Sequence, residues 1–145
     1  DYCKKIKKMA SEISSVKIWG ELTRCEIYKV FQKIDVVVCS SKEDMLPIVI
    51  TESMMFGKAC IVTDVTGSAK YIQNGENGFV VPVNDVQALA ERMQWIITNK
   101  EEIEKIGLAA RKTYEKYFTL DILGQNLKQV LNETMAEWRR TNRET

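Results

Sequence analysis

Two carboxylates, Asp44 and Glu52, stand with seven residues between them in the stretch SSKEDMLPIVITESMMFGKACIVTD, residues 40–64. A third acid, Glu43, sits beside the first. The apolar run Ile34, Val36, Val37, Val38, Cys39 leads into Ser40-Ser41, and the segment carrying Glu52 reads as a helix stopped by Gly57. A second apolar run, Ala59-Cys60-Ile61-Val62, begins at once. Strand, loop, helix, strand is a βαβ unit. Its acids fall at the carboxyl end of the first strand, where open α/β sheets bind ligands. A carboxylate there can accept hydrogen bonds from both hydroxyls of a diol, the device dinucleotide folds use on a ribose.

Composition narrows the chemistry. A chain of 145 residues is one domain's worth, and 45% hydrophobic with 28% charged residues is ordinary for a water-facing fold. Net charge is +1, so no global field recruits nucleic acid. The lysines Lys4, Lys5, Lys7 and Lys8 read as the wet face of a helix, and leave a peripheral membrane contact open. No apolar run reaches the ~18 residues of a spanning helix. The four cysteines, Cys3, Cys25, Cys39 and Cys60, show no CxxC spacing and fit a reducing, cytoplasmic compartment. Histidine is absent, which removes Ser-His-Asp and Cys-His catalysis and the usual zinc sites. No metal site is expected.

The elements that must position the acids follow from periodicity. Residues 2–13 place Tyr2, Ile6, Met9, Ala10 and Ile13 at helical spacing. Residues 16–19 alternate briefly and read as a short strand ending at Gly20. Thr23 with Glu26 is a capping box for a helix showing Ile27, Val30, Phe31 and Ile34. Strand 35–39, helix 47–56 and strand 59–63 follow, and Thr66-Gly67-Ser68 starts a short helix through Ile72. Phe79-Val80-Val81 makes a fourth strand between turn dipeptides and a helix reaching Thr98. That helix is expected to be capped by Asn84, with Gln87 completing a box, and to turn Val86, Leu89, Ala90, Met93 and Ile97 inward. Residues 101–117 carry a stripe of Ile103, Ile106, Ala110, Tyr114 and Tyr117. Thr119 caps a last helix bearing Ile122, Leu123, Leu127, Val130, Leu131 and Trp138, and the polar tail from Arg139 is expected to fray. Alternation of strands and helices implies an α/β, Rossmann-like parallel sheet with helices on both faces and a helical C-terminal tail.

The acid pair, the small and apolar patch after it, Gly57 and the buried strand together resemble the E-x7-E motif of GT-B glycosyltransferases. The resemblance is to the retaining family often called family 4, the glycosyl transferases group 1. SSVKIWGELTRCEIYKVFQKIDVVVCSS and NGENGFVVPVNDVQALAERM are similar to two further family segments in the same order and spacing. The resemblance implies that residues 1–145 are a single nucleotide-sugar-binding domain, the C-terminal half of a GT-B fold lacking its first strands and the acceptor-binding domain. A fragment of that kind is expected to be inactive alone and prone to self-association through an uncovered edge.

By the same resemblance, Glu52 holds the donor ribose, and the amides of Met45, Leu46 and Ile48 meet the diphosphate at a helix N-terminus. Pro47 cannot donate. Asp44, or alternatively Glu43, contacts the donor sugar near the reacting carbon: Asp44 keeps the family spacing, and Glu43 keeps the family side chain. Gly20, Glu21 and Leu22 match the loop that reads the nucleobase. Thr66-Gly67 resembles the glycine-rich turn beside the donor, but Lys70 stands where the family commonly has an acid. The implied function is donor binding in a retaining hexosyltransferase of polysaccharide biosynthesis, in the cytoplasm, with a place at the inner face of the membrane left open. It would move sugar from a nucleotide-sugar to a glycan or lipid-linked glycan, without metal or other cofactor. The alternative is a non-catalytic nucleotide or nucleotide-sugar binding module on a Rossmann-like scaffold. A flavodoxin-like receiver fits poorly, since an early acidic pair and a late lysine are missing from the required places.

Overall fold

Helix caps written into the sequence set the first elements of the computed structural model, which describes residues 1–142. Asp1–Lys33 forms one compact unit, and the chain from Ile34 onward forms another. In the first, α1 (Tyr2–Ser11) starts on Asp1, whose carboxylate accepts from the Cys3 amide at 3.2 Å. No residue of α1 is buried. The second helix, α2 (Arg24–Phe31), opens on the expected capping box. The Glu26 carboxylate accepts from the Thr23 hydroxyl at 2.7 Å and from the Thr23 amide at 2.8 Å, which together hold its pKa below the usual carboxylate value. Residues 16–19 form no strand. A strand exists only through its partner's hydrogen bonds, and Val16, Ile18 and Trp19 are left 44–48% exposed.

Three apolar runs of the second unit, β1 (Val36–Cys39), β2 (Ala59–Thr63) and β3 (Phe79–Val81), make a parallel sheet in the order β1-β2-β3. The sheet therefore has three strands, not four. The register sets Val36 beside Ala59 and Ile61 beside Phe79. Every residue of β2 is buried, the signature of a central parallel strand covered on both faces. Asp35 stays outside β1, and β1 and β3 are the two edges.

The crossover helix α3 (Ile48–Met55) buries Ile50, Ser53 and Met54. It ends in a Schellman motif: Gly57, at φ +65°, donates to the Met54 carbonyl at 3.0 Å, and Lys58 donates to the Ser53 carbonyl at 2.9 Å. Where a short helix through Ile72 is expected, a 3₁₀ turn covers Ala69–Tyr71. The next helix, α4 (Val86–Thr98), is capped by Asp85, whose carboxylate accepts from the Ala88 amide at 2.9 Å. Asn84 is not the cap; at φ +61° it makes the left-handed step that asparagine tolerates, and Gln87 bonds Glu91 instead.

The inward face of α4 also differs from expectation. Ala88, Leu89, Trp95 and Ile96 pack on the core formed by Ala59, Ile61, Phe79, Val81, Ile103 and Ile106. Val86, Ala90, Met93 and Ile97 face solvent. Arg92 lies in the middle of the packed stripe, its guanidinium 4.7 Å from the Phe79 ring centre and 5.7 Å from that of Trp95. A charge at the centre of a stripe disguises it, although a guanidinium packs well on aromatic faces.

Helix α5 (Lys100–Tyr117) buries Ile103, Ile106, Gly107 and Ala110. Its Gly107 meets Gly57 backbone to backbone: a Cβ on Gly107 would lie 2.2 Å from the Gly57 carbonyl oxygen. Arg111 adds a hydrogen bond to the Met55 carbonyl. The last helix, α6 (Leu120–Thr141), is capped by Thr119 and includes Arg139 and Arg140; residues 143–145 of the tail expected to fray lie outside the described residues. Of its expected stripe Ile122 is half-buried, and Leu123, Leu127, Val130, Leu131 and Trp138 are 53–66% exposed. No described helix is long and apolar enough to cross a membrane.

Two measurements probe this packing. In an open helix, Gly→Ala stabilises by up to ~1 kcal/mol, and Gly124→Ala, with nothing within 4 Å of the new Cβ, should raise the urea midpoint. Gly107→Ala should lower the midpoint through a loss of ~1–3 kcal/mol of stability, because the clash with Gly57 outweighs propensity; a gain at both positions contradicts the close α3–α5 contact. Burial, with a smaller contribution from Cys39, pushes the Cys60 thiol up to about 12. Thiolate is the reactive form, so at pH 8 a disulfide reagent should label exposed Cys3 and Cys25 and leave Cys60 untouched until the protein unfolds. Rapid labelling of Cys60 in native protein would refute its burial.

Candidate functional site

The carboxyl ends of β1 and β2 are tied together before the acids are reached. Thr63, the last and only polar residue of β2, donates its hydroxyl to the Ser41 carbonyl at 2.5 Å. One loop further, the Gly67 amide donates to the Asp44 carbonyl at 2.9 Å, and Asp44 pairs with Thr66 as an isolated parallel bridge. There is no room at this contact for a side chain. A Cβ on Gly67 would lie 1.6 Å from the Met45 carbonyl oxygen and 2.8 Å from its carbon. Glycine is required here by a backbone approach.

Within the loop, Glu43 is exposed and Asp44 half-buried. The Asp44 carboxylate folds back to accept from the Leu46 amide at 3.1 Å, an Asx turn. Pro47 is buried and caps α3 without a side-chain bond, so the helix begins at Ile48 rather than at Pro47. Met45 and Leu46 therefore precede the helix, and the expectation of three free amides is corrected. The Leu46 amide is already engaged by Asp44, whereas the Ile48 amide is the first of α3 and is given to no described residue. Met45 is 91% exposed and Ile48 72%.

Glu52 lies one turn into α3, four residues after Ile48, on the same stripe of the helix. Side chains on a helix lean toward its N-terminus, so Glu52 leans toward the Ile48 end. It is half-buried, and no described residue donates to its carboxylate. Asp44, Met45 and Leu46 thus stand in the loop before α3, Ile48 opens the helix and Glu52 follows one turn on, with Glu43 exposed. Gly20, Glu21 and Leu22 belong to the first unit, just before α2; Gly20 is at φ +70° with open space around it, Glu21 is exposed and Leu22 half-buried.

Chemically, the second-unit group offers a carboxylate with its acceptor capacity unused and a free helix-terminal amide on one stripe. Such a pair suits a ligand carrying hydroxyls next to an anion. Among the described residues, no three Cys, Asp or Glu side chains cluster to hold a metal ion. A larger cavity of about 500 Å³ lies at the other end of the strands, between Asp35, Lys58, Lys100 and Glu104, away from these acids. Its mixed charges and its position at the amino ends of β1 and β2 count against it, since ligand sites of open α/β sheets lie at the carboxyl ends. Sequence reasoning missed Thr63, although a lone hydroxyl closing the otherwise apolar run ACIVT was a visible signal. It also missed Ser68, whose buried hydroxyl has no hydrogen-bond partner among the described residues.

Comparisons with known proteins agree with this architecture. Residues 1–113 match the family described as Glycosyl transferases group 1. The capsular polysaccharide biosynthesis glycosyltransferase CapM of Staphylococcus aureus is 35% identical over 77 residues, covering 53% of this chain and 20% of that protein. The O-antigen chain mannosyltransferase C of Escherichia coli is 31% identical over 112 residues, covering 75% of this chain and 30% of that protein. The chain thus spans under a third of the length of either relative. Among solved structures, HepE of Anabaena in complex with UDP superposes with a TM-score of 0.82 at 23% identity, over 92% of this chain and 37% of that one. The shared fold is a Rossmann-like α/β fold with a parallel sheet, and the solved neighbours are GT-B glycosyltransferases.

The tie between the two strand ends is open to a direct test. Gly67→Ala should drive the Met45 carbonyl away, shifting the amide resonances of Met45 and Leu46 while those of Ile103 and Ile106 stay in place. Loss of the tie and its strain should cost ~1–3 kcal/mol of stability. Unmoved Met45 and Leu46 resonances would show that the loop is not clamped there.

Proposed function

Because the chain belongs to the glycosyl transferases group 1 family, we propose that it is the donor-binding part of a retaining hexosyltransferase. The whole protein would transfer a sugar from a nucleotide-sugar to a glycan or lipid-linked glycan. The observation that carries this reading is the Asp44–Glu52 loop and helix at the carboxyl end of β1, held by the Gly67 contact. The neighbour HepE, solved with UDP, supports a nucleotide-bearing donor.

In this reading Glu52 accepts hydrogen bonds from both ribose hydroxyls. The Ile48 amide meets a diphosphate oxygen, aided by the positive end of α3. Met45 and Leu46 contribute from the loop, Leu46 only where Asp44 releases its amide. Asp44 faces the sugar near the reacting carbon, and Gly20, Glu21 and Leu22 read the base. Catalysis needs the acceptor side of a two-domain cleft, so residues 1–145 alone should transfer no sugar.

The test belongs in the full-length protein. Glu52→Gln removes a charge-assisted hydrogen bond worth roughly 1.5–3 kcal/mol, a ~10- to 150-fold loss of affinity. Free nucleotide should suffer as much as nucleotide-sugar. Asp44→Asn should reduce turnover and leave nucleotide affinity nearly unchanged, and Glu43→Gln should be close to silent. If Glu43→Gln is instead the crippled variant, side-chain identity outranks spacing at the first acid. Normal nucleotide binding by Glu52→Gln would overturn the donor-site assignment.

A further inference from the structure

Beyond the Gly67 turn, the 3₁₀ segment Ala69–Tyr71 faces α5 across a cavity of about 320 Å³. Three lysines line it: Lys70 from the turn, Lys112 and Lys116 from α5. No aspartate or glutamate is among its lining residues, and none of the three lysines pairs with a carboxylate among the described residues. Like charges gathered without a counter-charge repel one another, and an anion entering the cavity relieves that repulsion.

The remaining lining is ordered for recognition. Asn77, 6% exposed, forms the floor, and its side-chain carbonyl accepts from the Gln73 amide at 2.7 Å. Its side-chain NH₂ donates to the Tyr71 carbonyl at 3.0 Å and to the Thr113 hydroxyl at 2.7 Å. One buried amide thus ties the turn to α5 and fixes both walls. The rings of Tyr71 and Tyr117 stand 5.3 Å apart at 52°, with Phe118 edge-on to Tyr71 at 4.7 Å. The Lys70 ammonium sits 5.0 Å from the Tyr71 ring centre, and that of Lys116 sits 4.9 Å from the Tyr117 ring centre. Two cations are therefore held beside an aromatic wall.

We propose that this cavity binds an anionic saccharide, with the charged group on Lys70, Lys112 and Lys116 and the sugar ring against Tyr71 and Tyr117. The volume lies within the range of small-ligand sites. Lysines suit a phosphate or carboxylate as point charges, and tyrosines offer an apolar face with a polar tip to a ring that is itself amphipathic. None of the lining residues belongs to the Asp44–Glu52 group, so the site stands whether or not the donor assignment does.

The chain itself, titrated at low salt and followed by amide resonances and calorimetry, tests the proposal with four probes. Glucose 6-phosphate and glucuronate carry the two anionic groups; glucose and inorganic phosphate are the separated halves. Saturable binding of at least one anionic sugar is expected, with shifts centred on Tyr71, Asn77 and Thr113. Glucose and phosphate should each bind at least ~10-fold more weakly, a difference of one decade in affinity. Which anionic sugar binds more tightly identifies the charged group. Lys112→Ala and Lys116→Ala should each weaken binding ~3- to 10-fold, and Lys70→Glu should abolish it. All three side chains are exposed, and circular dichroism confirms the fold of each variant. Failure of both anionic sugars to saturate, unchanged affinity in the lysine variants, or phosphate binding as tightly as glucose 6-phosphate would each overturn the proposal.

Discussion

The close passage of Gly67 over the Met45 carbonyl is the contact on which the candidate site depends. Parallel strands deliver their carboxyl ends side by side, but the loops leaving them diverge unless something joins them. Here the Gly67 amide bonds the Asp44 carbonyl, and a separation that excludes even a methyl group fixes the two backbones. Thr63 repeats the tie one step closer to the sheet, through Ser41. With both ties made, the short loop between β1 and α3 has little freedom. Asp44 is then presented from a rigid base, and α3 starts where Pro47 allows it.

A second close backbone contact sets the other end of α3. Gly57 turns the chain left-handed to end the helix, and Gly107 of α5 comes close enough to exclude a side chain. Arg111 seals the same end through the Met55 carbonyl. Glu52 lies between these two fixed points, on the side of α3 away from Ile50 and Met54. Its direction is thus a consequence of contacts made by glycines that carry no chemistry of their own. A site positioned by backbone approaches is sensitive to single methyl groups at places remote from the ligand, since close-packed interiors transmit strain.

How legible this was in the sequence depended on how local the cause is. Thr23 with Glu26, Thr119, Gly57 and the apolar runs of β1 to β3 act within a few residues, and the spacing shows them directly. The failures share the opposite property. Residues 16–19 have strand composition but no partner strand, and pairing is not written in four residues. Helix α4 turned a different face inward because Trp95 packs edge-on against Phe79 at 5.5 Å and Arg92 stacks on both rings. Periodicity treats an arginine as a mark of the wet face. Asn84 and Asp85 are both good caps by type, and only the left-handed turn at Asn84 decides between them. At the site, the carboxylates were visible, but the engagement of the Leu46 amide by Asp44 was not, because a hydrogen bond two residues along depends on the loop's conformation.

That hydrogen bond also separates the two acids by what each has left to offer. Asp44 gives one oxygen to its own loop, and the short aspartate side chain is the length that closes an Asx turn; a glutamate, one methylene longer, fits that ring poorly. In the reading that makes Asp44 the first acid of the pair, its departure from glutamate is coupled to a local structural role. Glu52 has no such engagement among the described residues and keeps its full acceptor capacity. A ligand that meets Glu52 gains hydrogen bonds without breaking any, whereas one that meets Asp44 can do so through the second oxygen or must release Leu46. Release would free a second amide beside that of Ile48. The proposed donor would then be met in sequence, first by an unengaged carboxylate and a free amide, then by a loop that exchanges an internal bond for an external one. In the proposed donor site, asymmetry of this kind would place affinity mainly at Glu52 and adjustment mainly at Asp44.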